Sequence, residues 1–161
     1  MVKIGQHPSN PDKILVSVPG RNVIANQILK NHRSVWDPCT KLWMTSKLNQ
    51  ERIELELNKI FGNQKLHLKL KEKIEEYREP IYISGFEICR AFGRDSGAKF
   101  APESECVEVI CGEAGSGGSV KNWTTKLYEG AEVILRFVSK DLEIPKEWEV
   151  LSRSECPEEG V

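Results

Sequence analysis

Ser34-Val35-Trp36-Asp37-Pro38-Cys39-Thr40-Lys41-Leu42-Trp43-Met44-Thr45 is the stretch on which the reading of this chain turns. Asp37 and Pro38 suit the first two positions of a type I turn: the Asp side chain bonds backbone amides two residues on, and proline presets φ. No glycine supplies a left-handed corner, so a loop from Pro38 to Lys41 is predicted rather than a two-residue one. Such a loop sets Trp36 directly opposite Trp43, on one face with Ser34 and Thr45. Val35, Leu42 and Met44 then share the other face. Both faces are apolar, so one is covered and the other is either covered or used.

On the N-terminal side, Lys13 to Val18 reads as a strand in which Ile14, Val16 and Val18 alternate, ended by Pro19-Gly20. Asn22 suits the N-cap of a short helix running to Leu29, with Ile24 and Ile28 facing a core. On the C-terminal side, Ser46 caps a second helix over roughly 47–61 whose inward stripe is Ile53, Leu57, Ile60 and Phe61, stopped by Gly62-Asn63. The prediction is a βαββα module over residues 13–62, with residues 1–12 frayed before it.

Residues 64–79 fit two periods. Leu66, Leu68 and Leu70 alternate as in a strand, whereas Leu66, Leu70, Ile74 and Tyr77 fit a helix. The Lys and Glu content, and the absence of β-branched residues before Ile74, favour a helical connector over 63–79, closed by Pro80. From Ile81 the texture changes to short strands between turns: 81–83, 107–110, 123–128 and 133–138, with 86–92 open to either strand or helical turn. Residues 80–150 are therefore predicted to form a mostly antiparallel β-barrel or sandwich, and 151–161 a loose acidic tail. The expected class is α+β.

At 161 residues the chain supports one ordinary core or two small ones, and its 39% hydrophobic and 29% charged composition is that of a folded globular protein. No run approaches the ~18 apolar residues of a membrane span. The start lacks the apolar segment of a secretory signal, so a cytoplasmic location and no membrane partner are expected. The five cysteines are scattered, which suits reduced thiols better than a zinc site or disulfide framework. The net charge of −1 conceals an asymmetry. Residues 1–64 carry nine Lys or Arg and five acids, whereas residues 81–161 carry nine and fifteen. A basic front and an acidic rear are expected where only the front meets a polyanion.

The front unit resembles the HARP domain of annealing helicases and the related N-terminal modules of phage-integrase-like recombinases. The likeness rests on Ile14 to Val18, Ile24 to Leu29, the W-D-P-x-T-K-x-W pattern of Trp36 to Trp43, and a closing helix near Phe61, some 13–62 of the chain. It implies binding to single-stranded or forked DNA and a recombinase or helicase partner. It does not imply a motor, because nothing reads G-x-x-x-x-G-K-[ST].

Candidate nucleic-acid contacts follow from the chemistry of base and phosphate. Trp36 and Trp43 are either core under the second helix or a stacking platform, worth ~1–3 kcal/mol per base. Arg21, Lys30, His32, Arg33 and Lys41 cluster at the ends of the first helix and beside the hairpin, as solvated charge or as phosphate contacts. The glycine-rich run 112–119 reads as a flexible hairpin loop; a backbone anion nest or a strand-gripping finger, helped by Lys121 and Trp123, is the other reading. The three histidines, 7, 32 and 67, lie apart from the Gly93–Gly97 turn, so no Ser/His/Asp or Cys/His constellation is evident, and neither enzymatic activity nor a cofactor is expected. The expected function is non-enzymatic nucleic-acid binding with weak sequence preference, accessory to recombination or replication. The alternative is a protein–protein adaptor whose β-rich domain makes the contact and whose Trp pair is core.

Overall fold

A computed structural model describes residues 2–157, so the last four residues of the acidic tail lie outside the described residues. The chain runs β1 (Lys3–Gln6), β2 (Lys13–Ser17), α1 (Val23–Asn31), β3 (Val35–Asp37), β4 (Leu42–Ser46), a 3-10 turn (Lys47–Asn49) and α2 (Gln50–Leu57). β1 to β4 form one antiparallel sheet in the order β1-β2-β4-β3. In the β3–β4 hairpin Trp36 is the register partner of Trp43 and Asp37 of Leu42, so the loop is residues 38–41 as the Asp-Pro pair predicted. Lys41 itself takes the left-handed corner, at φ 58°, with its amide donating to the Asp37 carbonyl at 2.8 Å.

Three expectations for the front change. Residues 3–6 are not frayed but pair with β2 along its free side. α1 buries Ala25 and Leu29, not Ile24, which is exposed. The buried N-cap Asn22 sets that rotation: its Oδ1 accepts from the Ile24 and Ala25 amides, both at 3.0 Å, and its Nδ2 donates to the Ser84 carbonyl. α2 ends at Leu57, and the predicted stripe of Ile53, Leu57, Ile60 and Phe61 is buried although its last two members lie beyond the helix.

The remainder is β5 (Phe61–Leu70), β6 (Ile74–Tyr77), β7 (Ile81–Ile83), β8 (Phe86–Ala91), β9 (Ala98–Phe100), β10 (Val107–Cys111), β11 (Ala114–Gly118), β12 (Trp123–Leu127), β13 (Glu132–Val138) and β14 (Trp148–Glu155). These strands form three antiparallel sheets, β10-β13-β5-β14, β11-β12-β6 and β7-β8-β9, and among the described residues no barrel closes. With two short helices the chain is α+β, dominated by antiparallel sheet.

The connector expected to be helical is β5 and β6. β5 is flanked by β13 and β14, and Leu66, Leu68 and Leu70 are fully buried, so pairing on both sides overrides the helical preference of Leu and Lys. The tail expected to be loose from 151 is strand as far as Glu155, with an extra residue, Leu151, bulged between the Val150 and Ser152 register pairs. The glycine run expected as a flexible loop is β11, paired with β12. A Cβ at Gly117 would lie 2.4 Å from the Lys126 side chain, and one at Gly115 3.3 Å from the Tyr128 ring. The glycines leave room for those side chains across the strand, which is why five small residues stand here.

One hydrophobic core runs through both halves, from Ile14 and Val16 through Leu57 and Phe61 to Phe86, Leu135 and Trp148. Phe61 meets Phe86 edge to face at 6.0 Å. At the helix end the Val23 amide donates to the Gly85 carbonyl at 3.0 Å, beside the Asn22–Ser84 bond. The front unit is thus pinned to the β7–β8 turn.

The cysteines are all free thiols. Burial pushes Cys89 and Cys106 up to about 12, whereas Cys39 and Cys111 are exposed. The Cys111 thiol donates to Glu132 Oε2 at 3.4 Å, which raises its pKa. Peptide mapping after alkylation at pH 8 is expected to find Cys39 modified first, Cys111 more slowly, and Cys89 and Cys106 only after denaturation. Early labelling of Cys89 would contradict the packing described.

Candidate functional site

The hairpin and α1 enclose an open groove of about 330 Å³ lined by Val18, Gly20, Asn26, Lys30, Trp36, Lys41 and Trp43. This volume lies at the small end of the ~300–1,000 Å³ typical of ligand clefts. Each wall has a local cause. Asn26 and Lys30 are four residues apart on α1 and so share a face. Gly20, at φ 62°, turns the chain out of β2 and over toward the helix. Trp36 and Trp43 come from adjacent strands, and the left-handed corner at Lys41 brings its side chain back to the same side.

The two indoles differ in environment. Trp43, on an inner strand, is only 7% exposed, whereas Trp36, on the edge strand, is 44% exposed. Their centroids lie 5.3 Å apart with planes inclined at 56°. Trp43 therefore holds Trp36 in place, and Trp36 offers the accessible aromatic surface.

The charge in the groove has one sign. None of its lining residues is acidic, and two are lysines. The nearest carboxylate in sequence, Asp37, accepts from the Cys39 amide at 3.0 Å and the Thr40 hydroxyl at 2.9 Å. These bonds, the Thr40 hydroxyl foremost, lower its pKa and fix the turn that carries Lys41. The other acids of this region sit mainly on α2, where Glu54 accepts from Gln50 at 3.1 Å and Glu56 lies 2.7 Å from His32.

The groove thus brings together Lys30, Trp36, Lys41 and Trp43 of the residues expected from sequence. His32 is turned to Glu56, and its carbonyl accepts from Thr45 and Asn49, each at 3.0 Å; it braces the helix end. Arg21, just before the Asn22 cap, and Arg33, in a left-handed conformation just past α1, are exposed but do not line the groove. Lys121 lies in the turn between β11 and β12 and Trp123 opens β12, in a different sheet; neither lines the groove. Asn26 was not anticipated. Its signal was the spacing to Lys30, which carries meaning only once the helix's rotation is known.

Among the described residues no group of three or more His, Cys, Asp or Glu converges to hold a metal ion, and no helix is long and apolar enough to cross a membrane. Compared with family models, curated proteins and solved structures, the chain matches none.

Proposed function

We propose that this protein binds single-stranded or branched DNA with weak sequence preference, as a non-enzymatic accessory factor in recombination or replication. One observation carries the reading: a half-exposed tryptophan, backed by a second, stands in a groove with two lysines and no carboxylate. An exposed indole stacks on any unpaired base, and lysines bordering it take the flanking phosphates. The order of strands and helices between Lys13 and Leu57, with the W-D-P-x-T-K-x-W hairpin at its centre, supports a HARP-type module as the binding unit. Five free thiols support residence in a reducing compartment such as the cytoplasm.

Anisotropy titration with labelled single-stranded and forked DNA tests the reading. Two lysine–phosphate contacts give a salt exponent of about −1.4, so raising salt from about 50 to about 200 mM is expected to weaken binding about sevenfold. Lys30→Glu, at an exposed helix position, is expected to weaken binding further with little change in stability. Absence of binding, or binding indifferent to both salt and Lys30→Glu, removes the nucleic-acid assignment and returns the chain to the adaptor class.

A further inference from the structure

The front unit has few rings with which to hold a strand. Residues 1–60 contain two side chains of the Phe, Tyr and Trp class, Trp36 and Trp43, and Trp43 is buried. Tyr77 on β6 and Phe92 just after β8 are also exposed, but neither lines the groove. A protein that tracks a single strand sets rings against successive bases, whereas here one ring is on offer. The groove is also walled by the chain itself. Residues 32–34 join α1 directly to β3: the Arg33 amide donates to the Lys30 carbonyl and the Ser34 amide to that of Leu29, both at 3.0 Å. The His32 carbonyl in that link accepts from Thr45 and Asn49. On the β2 side, residues 18–22 carry the chain into α1 and supply Val18 and Gly20 to the lining, and Asn22 is tied to Ser84. A polynucleotide therefore cannot thread between α1 and β3. It can lay its backbone across the mouth, where exposed Lys30 stands on the helix wall and exposed Lys41 on the hairpin wall.

We propose that the groove receives one base everted from its strand: the base lies on Trp36, and Lys30 and Lys41 take the phosphates before and after it. This rests on the nucleic-acid reading above and adds the size and class of the ligand, a single unpaired nucleotide with its two flanking phosphates. Every base has a face to stack, so no base identity is implied. The volume of about 330 Å³ suits one nucleotide better than a run of them. The same ligand has two sources, a nucleotide within a single strand and one bulged from an otherwise paired duplex, and an unpaired base costs least to draw out of the stack. Bulges and junctions carry such nucleotides without any length of single strand. A protein of this kind recognises a flaw in a duplex rather than coating an exposed strand.

Competition against a labelled thymidine strand, with the full chain at about 200 mM salt so that distant phosphates are screened, tests both sources. The first arm is a series of unlabelled thymidine oligomers. The trimer, whose central base has a phosphate on either side, is expected to make the full contact. Lengthening it to about twelve nucleotides is expected to raise affinity no more than about tenfold, the number of registers on offer, whereas each further stacked base would add about 5- to 150-fold. The second arm is a duplex of one sequence in three forms: fully paired, with a bulged thymidine, and with a bulged abasic residue that keeps both phosphates and lacks the base. The thymidine bulge is expected to compete about 5- to 150-fold more strongly than the abasic bulge, the worth of one stacked base. Affinity that climbs beyond the register count, or a thymidine bulge no better than the abasic one, overturns the proposal while leaving strand binding standing. No binding of the labelled strand overturns both readings.

Discussion

Trp43→Ala is expected to lower stability by about 3–5 kcal/mol, the cost of deleting a large buried aromatic, whereas Trp36→Ala costs about 1 kcal/mol. In a chain of 161 residues the first change corresponds to a fall of roughly 10 °C in Tm. The asymmetry follows from position. Trp43 belongs to the buried core cluster with Val16, its register partner on β2, whereas Trp36 is on a three-residue edge strand with its outer side in solvent. For binding, the order reverses. Trp36→Ala removes the stacking surface and is expected to reduce affinity for single-stranded DNA about 5- to 150-fold, the equivalent of ~1–3 kcal/mol. Thermal melting and anisotropy on the same two variants give the comparison. If Trp36→Ala destabilises the protein as much as Trp43→Ala and leaves binding intact, the exposed ring has no recognition role.

The second large effect is predicted at Gly85, which does not itself line the groove. Its φ is 90°, and a Cβ there would stand 2.2 Å from Asn22 Oδ1. The left-handed strain costs ~1–2 kcal/mol, and displacing Asn22 forfeits a cap worth about 1 kcal/mol. The buried Asn22 amide, 2% exposed, would also lose its partner, at a further ~1–3 kcal/mol. Gly85→Ala is thus expected to cost about 3–6 kcal/mol by urea unfolding, and Asn22→Ala less, since it removes the cap without backbone strain. Gly85→Ala with a loss under about 1 kcal/mol would show that the contact between α1 and the β7–β8 turn does not hold the two parts together.

What could be read in the sequence was what local chemistry determines. Asp37 and Pro38 set the hairpin and hence the Trp36–Trp43 register; Asn22 marked the start of α1, and Ser46 that of the 3-10 turn leading into α2 rather than of α2 itself; Ile14 and Val16 showed the inner face of β2. What could not be read depends on partners distant in sequence. Nothing within 61–70 announces that β13 and β14 will lie on either side, and without them Leu and Lys point to a helix. Glycines 115, 117 and 118 look like a loop until Lys126 and Tyr128 are seen lying across two of them. The same limit applies to the site. The aromatic pair and two of its lysines were legible, but the rotation of α1 is set by Ser84 and Gly85, some sixty residues away, and that rotation decides that Asn26 joins the groove and Ile24 does not.

The bulge at Leu151 bears on how copies of this protein meet at high concentration. β14 is an eight-residue outermost strand with nearly every side chain in solvent, the kind of border that recruits a neighbour's backbone into filaments or precipitate. The surplus residue puts a step midway along that border, and Glu149, Arg153 and Glu155 stud it with charge. An arriving molecule finds no uninterrupted ladder to extend, so the same irregularity that breaks the pattern of the tail also works against runaway self-association.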